Sequence, residues 1–172
     1  MAFSFCSDDR RYGRHLHGLQ AVSKSIVRKH IYQEAVPVQE PVPDHPLALT
    51  VNLPEPPNGD HEDQAFLYRI KGKLTGFFNR CGHVRLPMDL DDGKFFDLDG
   101  MIICRVHGAR FDEEHGQCLM GPAYTGLYRL IISDHPSQNT DSDLGTGIGA
   151  RNNGTQDTVW ILGWEGPVPP SS

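Results

Sequence analysis

A chain of 172 residues, 38 per cent of them apolar, with a formal net charge of −6, has room for one domain of ordinary size and one modest core. No run approaches the roughly 18 consecutive apolar residues of a membrane helix, and the first thirty residues carry six Lys/Arg without the apolar segment of a secretory signal. Residues 1–36 hold six Lys/Arg against three Asp/Glu, leaving ten basic and nineteen acidic residues for the body, so nucleic acid, which is bound mainly through Lys and Arg, is excluded as a partner. Four cysteines, two of them far from the others, fit a reducing compartment better than a disulfide scaffold, and the expectation is a cytoplasmic protein with no membrane partner.

In chain order, weak helical periodicity around Ala21 to Ile31, with Ser23 as a cap, predicts at most a marginal helix within a basic tail over 1–36. His15, His17 and Cys6 in that tail are a poor metal candidate, since no packed scaffold would hold them. Seven prolines between Val36 and Asp60 predict an extended connector over 37–60 with at most one edge strand, Leu47 to Leu53. The folded body is expected over 61–172. Ala65–Lys71 and Leu74–Asn79 flank Lys71-Gly72-Lys73, a hairpin pattern in which Gly72 supplies a positive φ. Phe95–Asp97 and Met101–Cys104 flank Leu98-Asp99-Gly100 and read as a second hairpin. Gln117–Met120, Leu127–Ser133 and Thr158–Trp164 are further strand candidates, and the polar stretch 134–157 between the last two reads as a flexible insertion. Without a long amphipathic helix in the body, the fold class is all-β.

Both hairpins deliver their outgoing strand to a Cys/His loop, Cys81-Gly82-His83 and Cys104-Arg105-Val106-His107-Gly108. One thiolate and one imidazole from each of two loops is the pattern expected when paired ligands grip the two ends of a binuclear centre. A structural zinc site is the competing reading, but common Cys2His2 zinc sites place like ligands together in sequence. Cys118, in a short apolar run, reads as a small buried hydrophobe rather than a ligand or redox thiol, and His115 as solvated.

Cys81-x-His83 and Cys104-x-x-His107-Gly108, followed by Phe111-Asp112 and Gly121-Pro122-Ala123, resemble the Rieske 2Fe-2S domain, most closely over Ala65 to Arg129. The resemblance implies an antiparallel β-sandwich with a cluster-binding subdomain of two ligand loops at strand ends. It implies one 2Fe-2S cluster, with Cys81 and Cys104 on the inner iron and His83 and His107 on the outer. Gly108 would let the backbone approach the cluster and Gly121-Pro122 would form a rigid lid. Respiratory members of the family have a disulfide between the ligand loops and Ser and Tyr donors to the cluster sulfurs. Here Leu86 and Val106 replace the cysteines, and Ala109 and Phe111 replace the donors. An unbraced centre of low potential is expected, near about −150 mV rather than +300 mV.

Four protein ligands on two irons leave no position for substrate, so no catalytic residue is assigned and the leading function is that of a non-catalytic one-electron carrier of an oxidoreductase system. Its expected partners are redox proteins, a reductase and a terminal oxygenase or similar. A ring-hydroxylating oxygenase subunit would need a second domain with two His and a carboxylate on a mononuclear iron. A redox-sensing or interaction module is the remaining alternative. Arg85, Arg105 and Arg110 in or beside the ligand loops suggest a locally positive docking face on an acidic body.

Overall fold

The computed structural model describes residues 28–84, 86–134 and 158–166, all of them strand, turn or irregular chain. Among the described residues nine strands form in chain order: β1 (Arg28–Val38), β2 (Leu49–Pro54), β3 (Glu62–Ile70), β4 (Lys73–Phe78), β5 (Ile102–Ile103), β6 (Arg110–Phe111), β7 (Cys118–Met120), β8 (Arg129–Ser133) and β9 (Val159–Gly166). Six make one antiparallel sheet in the order β1-β9-β8-β4-β3-β2, and β5-β6-β7 make a small second sheet. The all-β expectation holds. No helix among the described residues is long and apolar enough to cross a membrane.

The near-continuous apolar run of β3 has a packing cause: the strand is covered on both faces. Phe66, Tyr68 and Ile70 point into one core, shared with Phe77, Met88, Phe95, Ile102, Phe111, Ala123 and Leu127, while Ala65 and Leu67 point into another with Leu53, Phe78, Leu130, Ile161 and Trp164. Strand alternation sends successive side chains to opposite faces, so the doubly covered stretch from Ala65 to Tyr68 is apolar on both. The β3–β4 turn is the two-residue Lys71-Gly72, with φ of 50° and 77°, the left-handed pair that such a hairpin requires. The second expected hairpin is smaller: Phe96 bridges Ile102, and Ile103 N donates to Phe95 O at 2.8 Å.

The N-terminal reading needs correction. Residues 28–36, assigned to a basic tail and in part to a helix, lie in β1, which pairs along β9 at the sheet edge. Only Tyr32 and Val38 of β1 are buried, and a register shift between Ile31 and Val36 interrupts the alternation. Pro37 is tolerated because an edge strand has one unpaired side. Residues 1–27, with Cys6, His15 and His17, and 135–157, nearly all of the expected insertion, lie outside the described residues. The proline-rich stretch does contain one strand, β2, and is also pinned to β3: His45 N donates to Arg69 O and Arg69 N to Pro43 O, both at 2.8 Å.

Phe66 joins the large sheet to the segment that carries the second ligand loop, its ring stacked on Phe95 with centroids 4.0 Å apart. Replacing fully buried Phe66 with Ala is expected to lower stability by about 3–5 kcal/mol. Chemical denaturation measures this; a loss below about 1 kcal/mol would mean that the two sheets do not depend on this contact.

Candidate metal centre

β4 runs directly into Asn79-Arg80-Cys81, and β5 into Cys104, so both cysteines leave paired strands. Their side chains belong to the core that also contains Phe66 and Phe111, with Cys81 5% exposed and Cys104 fully buried. The two sulfurs and a ring nitrogen of His107 lie within 4.8 Å of one another. Cys104 Sγ is 3.4 Å from His107 Nδ1. His83 stands beside this group, its ring 4.9 Å from that of His107 and perpendicular to it. Its Nδ1 is buried without a hydrogen-bond partner.

That orphaned nitrogen tests whether a metal group fits. A buried polar atom normally finds a partner, because leaving it unsatisfied costs desolvation without return. A metal ion facing His83 would supply one. Two sulfurs and two imidazoles, delivered in Cys/His pairs by two loops, match the donor set of a mixed-ligand iron–sulfur centre. The two sulfurs are close enough to hydrogen-bond to each other. A hydrogen bond from the Cys81 thiol, opposed by burial and aided by the amides of His107 and Val106, lowers Cys104 to about 5. The same bond and burial push Cys81 up. Cysteine ligates metal as the thiolate, so loading a metal releases any thiol proton.

The amides of His83 and Val84 approach the Cys81 sulfur, so backbone donors reach both cysteines. Side-chain donors are lacking at the two positions singled out in the sequence: Ala109 and Phe111 are fully buried and apolar. The Gly121–Thr125 segment touches both ligand loops. A Cβ on Gly121 would lie 2.7 Å from Ala109 Cα, and one on Gly82 only 2.3 Å from Thr125 O. Thr125 Oγ1 donates back to Gly82 O at 3.2 Å. For Gly108 the requirement is its φ of 72°, since open space surrounds the place of its missing Cβ.

Among the described residues in and beside the two loops, several exposed side chains are apolar. Val84, Leu86, Val106 and Tyr124 are all substantially exposed, and the Tyr124 ring is 6.0 Å from that of His83. The expected positive patch is not found among the described arginines. Arg105 pairs with Asp92 at 2.5 Å and Arg110 with Asp97 at 3.0 Å; Arg85 lies outside the described residues. Cys118 also departs from its sequence reading, being half-buried against the core and not a free thiol. His115 is exposed, 3.1 Å from Asp112.

Sequence reasoning missed the polar residues behind the loops. Arg80, next to Cys81, forks onto Asp63, with Nη2 to Oδ1 at 2.7 Å, and Asn79 and Asp89 form a buried pair at 2.9 Å. Gly82→Ala is expected to force the lid from the first loop at a cost of about 1–3 kcal/mol. Hydrogen exchange at Gly126 together with the melting temperature checks this, and wild-type values for both would contradict the close contact.

Residues 51–131 match the family model described as Rieske [2Fe-2S] domain. Searches of curated proteins and of solved structures found no match. The matched span takes in Cys81, His83, Cys104 and His107, the lid, and the strands that present them. Rieske domains bind a 2Fe-2S cluster and work with redox partners, and residues 51–131 are matched as a domain of that kind.

Proposed function

We propose that this protein is a low-potential one-electron carrier whose 2Fe-2S cluster is held by Cys81, His83, Cys104 and His107. The observation that carries the proposal is the convergence of the Cys81, Cys104 and His107 donor atoms within 4.8 Å, with the unpartnered His83 Nδ1 beside them. When bound, the cluster supplies a reversible one-electron couple. The protein's part is to exclude water from the sulfur side, where both cysteines are buried, and to leave the imidazole side near the surface. Imidazoles in place of two thiolates make the centre less negative and raise its potential above that of an all-cysteine cluster.

Within the Rieske range the potential is set low by what surrounds the sulfurs. Hydrogen bonds to the sulfurs stabilise the electron-rich reduced state. Ala109 and Phe111 offer none through their side chains. The amides reaching Cys81 and Cys104 provide a baseline, not the additional pull of hydroxyl donors.

The electron route leads through the histidine edge to a redox protein, a reductase on one side and an oxygenase or comparable oxidoreductase on the other. The apolar rim of Val84, Leu86, Val106 and Tyr124 supports docking by surface exclusion of water more than by charge, because Arg105 and Arg110 are engaged by aspartates. Among the described residues the group of metal-ligating side chains is the one at this centre, which supports a carrier over a subunit with its own mononuclear iron.

A potentiometric titration followed by visible circular dichroism tests the reading. The expected result is a reversible one-electron transition toward about −150 mV, shifted upward in Ala109→Ser, which restores a donor. A midpoint above about +100 mV, or no shift in that variant, would contradict the low-potential assignment.

A further inference from the structure

Between the ligand loops lies a polar network beneath a largely exposed acidic turn, Asp89-Leu90-Asp91-Asp92-Gly93. Asn79 and Asp89 are each only 1% exposed. Asn79 Nδ2 donates to Asp89 Oδ1 at 2.9 Å and to Gln64 Oε1 at 2.6 Å, while Asn79 Oδ1 accepts from Met88 N at 2.8 Å. The other Asp89 oxygen accepts from Gly93 N at 3.0 Å. One carboxylate thus ties the end of β4 to the far side of the turn.

The network reaches the second ligand loop through Arg105, the residue after Cys104. Arg105 N donates to Met88 O at 2.8 Å, and its guanidinium donates to Asp89 O at 3.2 Å and pairs with Asp92. On the other side, Cys81 N donates to Leu86 O at 3.2 Å. The 86–92 segment is therefore bonded to residues at or beside both cysteines. Within it Leu90 and Asp91 have φ of 56° and 62°, a left-handed pair that non-glycine residues adopt only where their surroundings hold them there.

We propose that Asp89 is a positioning residue for the iron–sulfur site: its buried carboxylate is the centre of a hydrogen-bonded clamp that joins the two ligand loops. The clamp does mechanically what a disulfide between positions 86 and 106 would do, from the opposite, buried side. It also places a negative charge in a low-dielectric region behind the loops, which disfavours adding an electron to the centre. A hydrophobic residue there would fill the space but would leave Asn79 Nδ2 and Gly93 N with unmade bonds. The proposal rests on the reading that Cys81, His83, Cys104 and His107 hold the cluster.

Wild type, Asp89→Asn, Asp89→Ala and Arg105→Gln, each loaded with cluster, separate the possibilities. The readouts are bleaching rate in the presence of a chelator and midpoint potential. Asp89→Ala and Arg105→Gln are expected to lose the cluster roughly ten- to a hundredfold faster than wild type, the range typical of lost supporting contacts at metal sites. Asp89→Asn, which keeps an acceptor oxygen, is expected to bleach at an intermediate rate and to show a raised midpoint, an effect that a space-filling role would not produce. Should Asp89→Ala fail to fold, the other two variants decide. Bleaching within twofold of wild type in Arg105→Gln, or an unchanged midpoint in Asp89→Asn, overturns the proposal. A wild-type protein that assembles no iron would instead overturn the underlying ligand reading.

Discussion

The burial of two cysteine sulfurs in an aromatic core is the constraint on which the rest of the structure depends. Cys81 and Cys104 are integral to the packing of Phe66, Phe77, Phe95 and Phe111. Their positions are therefore fixed by the interlock of two sheets, and protein interiors at close-packed density transmit even small displacements. Each ligand pair inherits rigidity from the strand that precedes it. The imidazoles extend from this base toward the surface, so the sulfurs are shielded from water while both rings stay half-buried.

Polar contacts lock the loops from behind. Asp63 with Arg80, and Asn79 with Asp89, sit where β4 hands over to the first loop, and Arg105 links that region to the second. Buried groups of this kind add little net stability when fully satisfied, but removing one partner leaves the other uncompensated. Their effect is thus specificity of geometry more than free energy of folding. The lid completes the enclosure from the third side, with Gly82 and Gly121 allowing backbone contact that any larger residue would prevent.

Much of this was legible in the sequence because the signals are local. The hairpin turn at Gly72 follows from its need for positive φ, and the strand assignment of β3 from the aromatic and aliphatic residues that flank that turn. The paired Cys/His loops named their own chemistry through residue type and spacing. What was hidden depended on partners distant in the chain. β1 is a polar edge strand whose alternation is broken at a register shift, so only its pairing with β9 reveals it. Asp89 sits in an acid-rich turn, where composition indicates solvent, yet Asn79 and Gly93 draw it inside. Arg105 and Arg110 read as part of a positive face, but Asp92 and Asp97, brought close by folding, pair with them.

Mixed ligation by two cysteines and two histidines is the central claim, and pulsed electron paramagnetic resonance of the reduced protein tests it most directly. Two irons and two acid-labile sulfides per chain are expected, with hyperfine couplings from two imidazole nitrogens, one of them lost in His83→Ala. Zinc in place of iron, or a reduced cluster without nitrogen coupling, would contradict it.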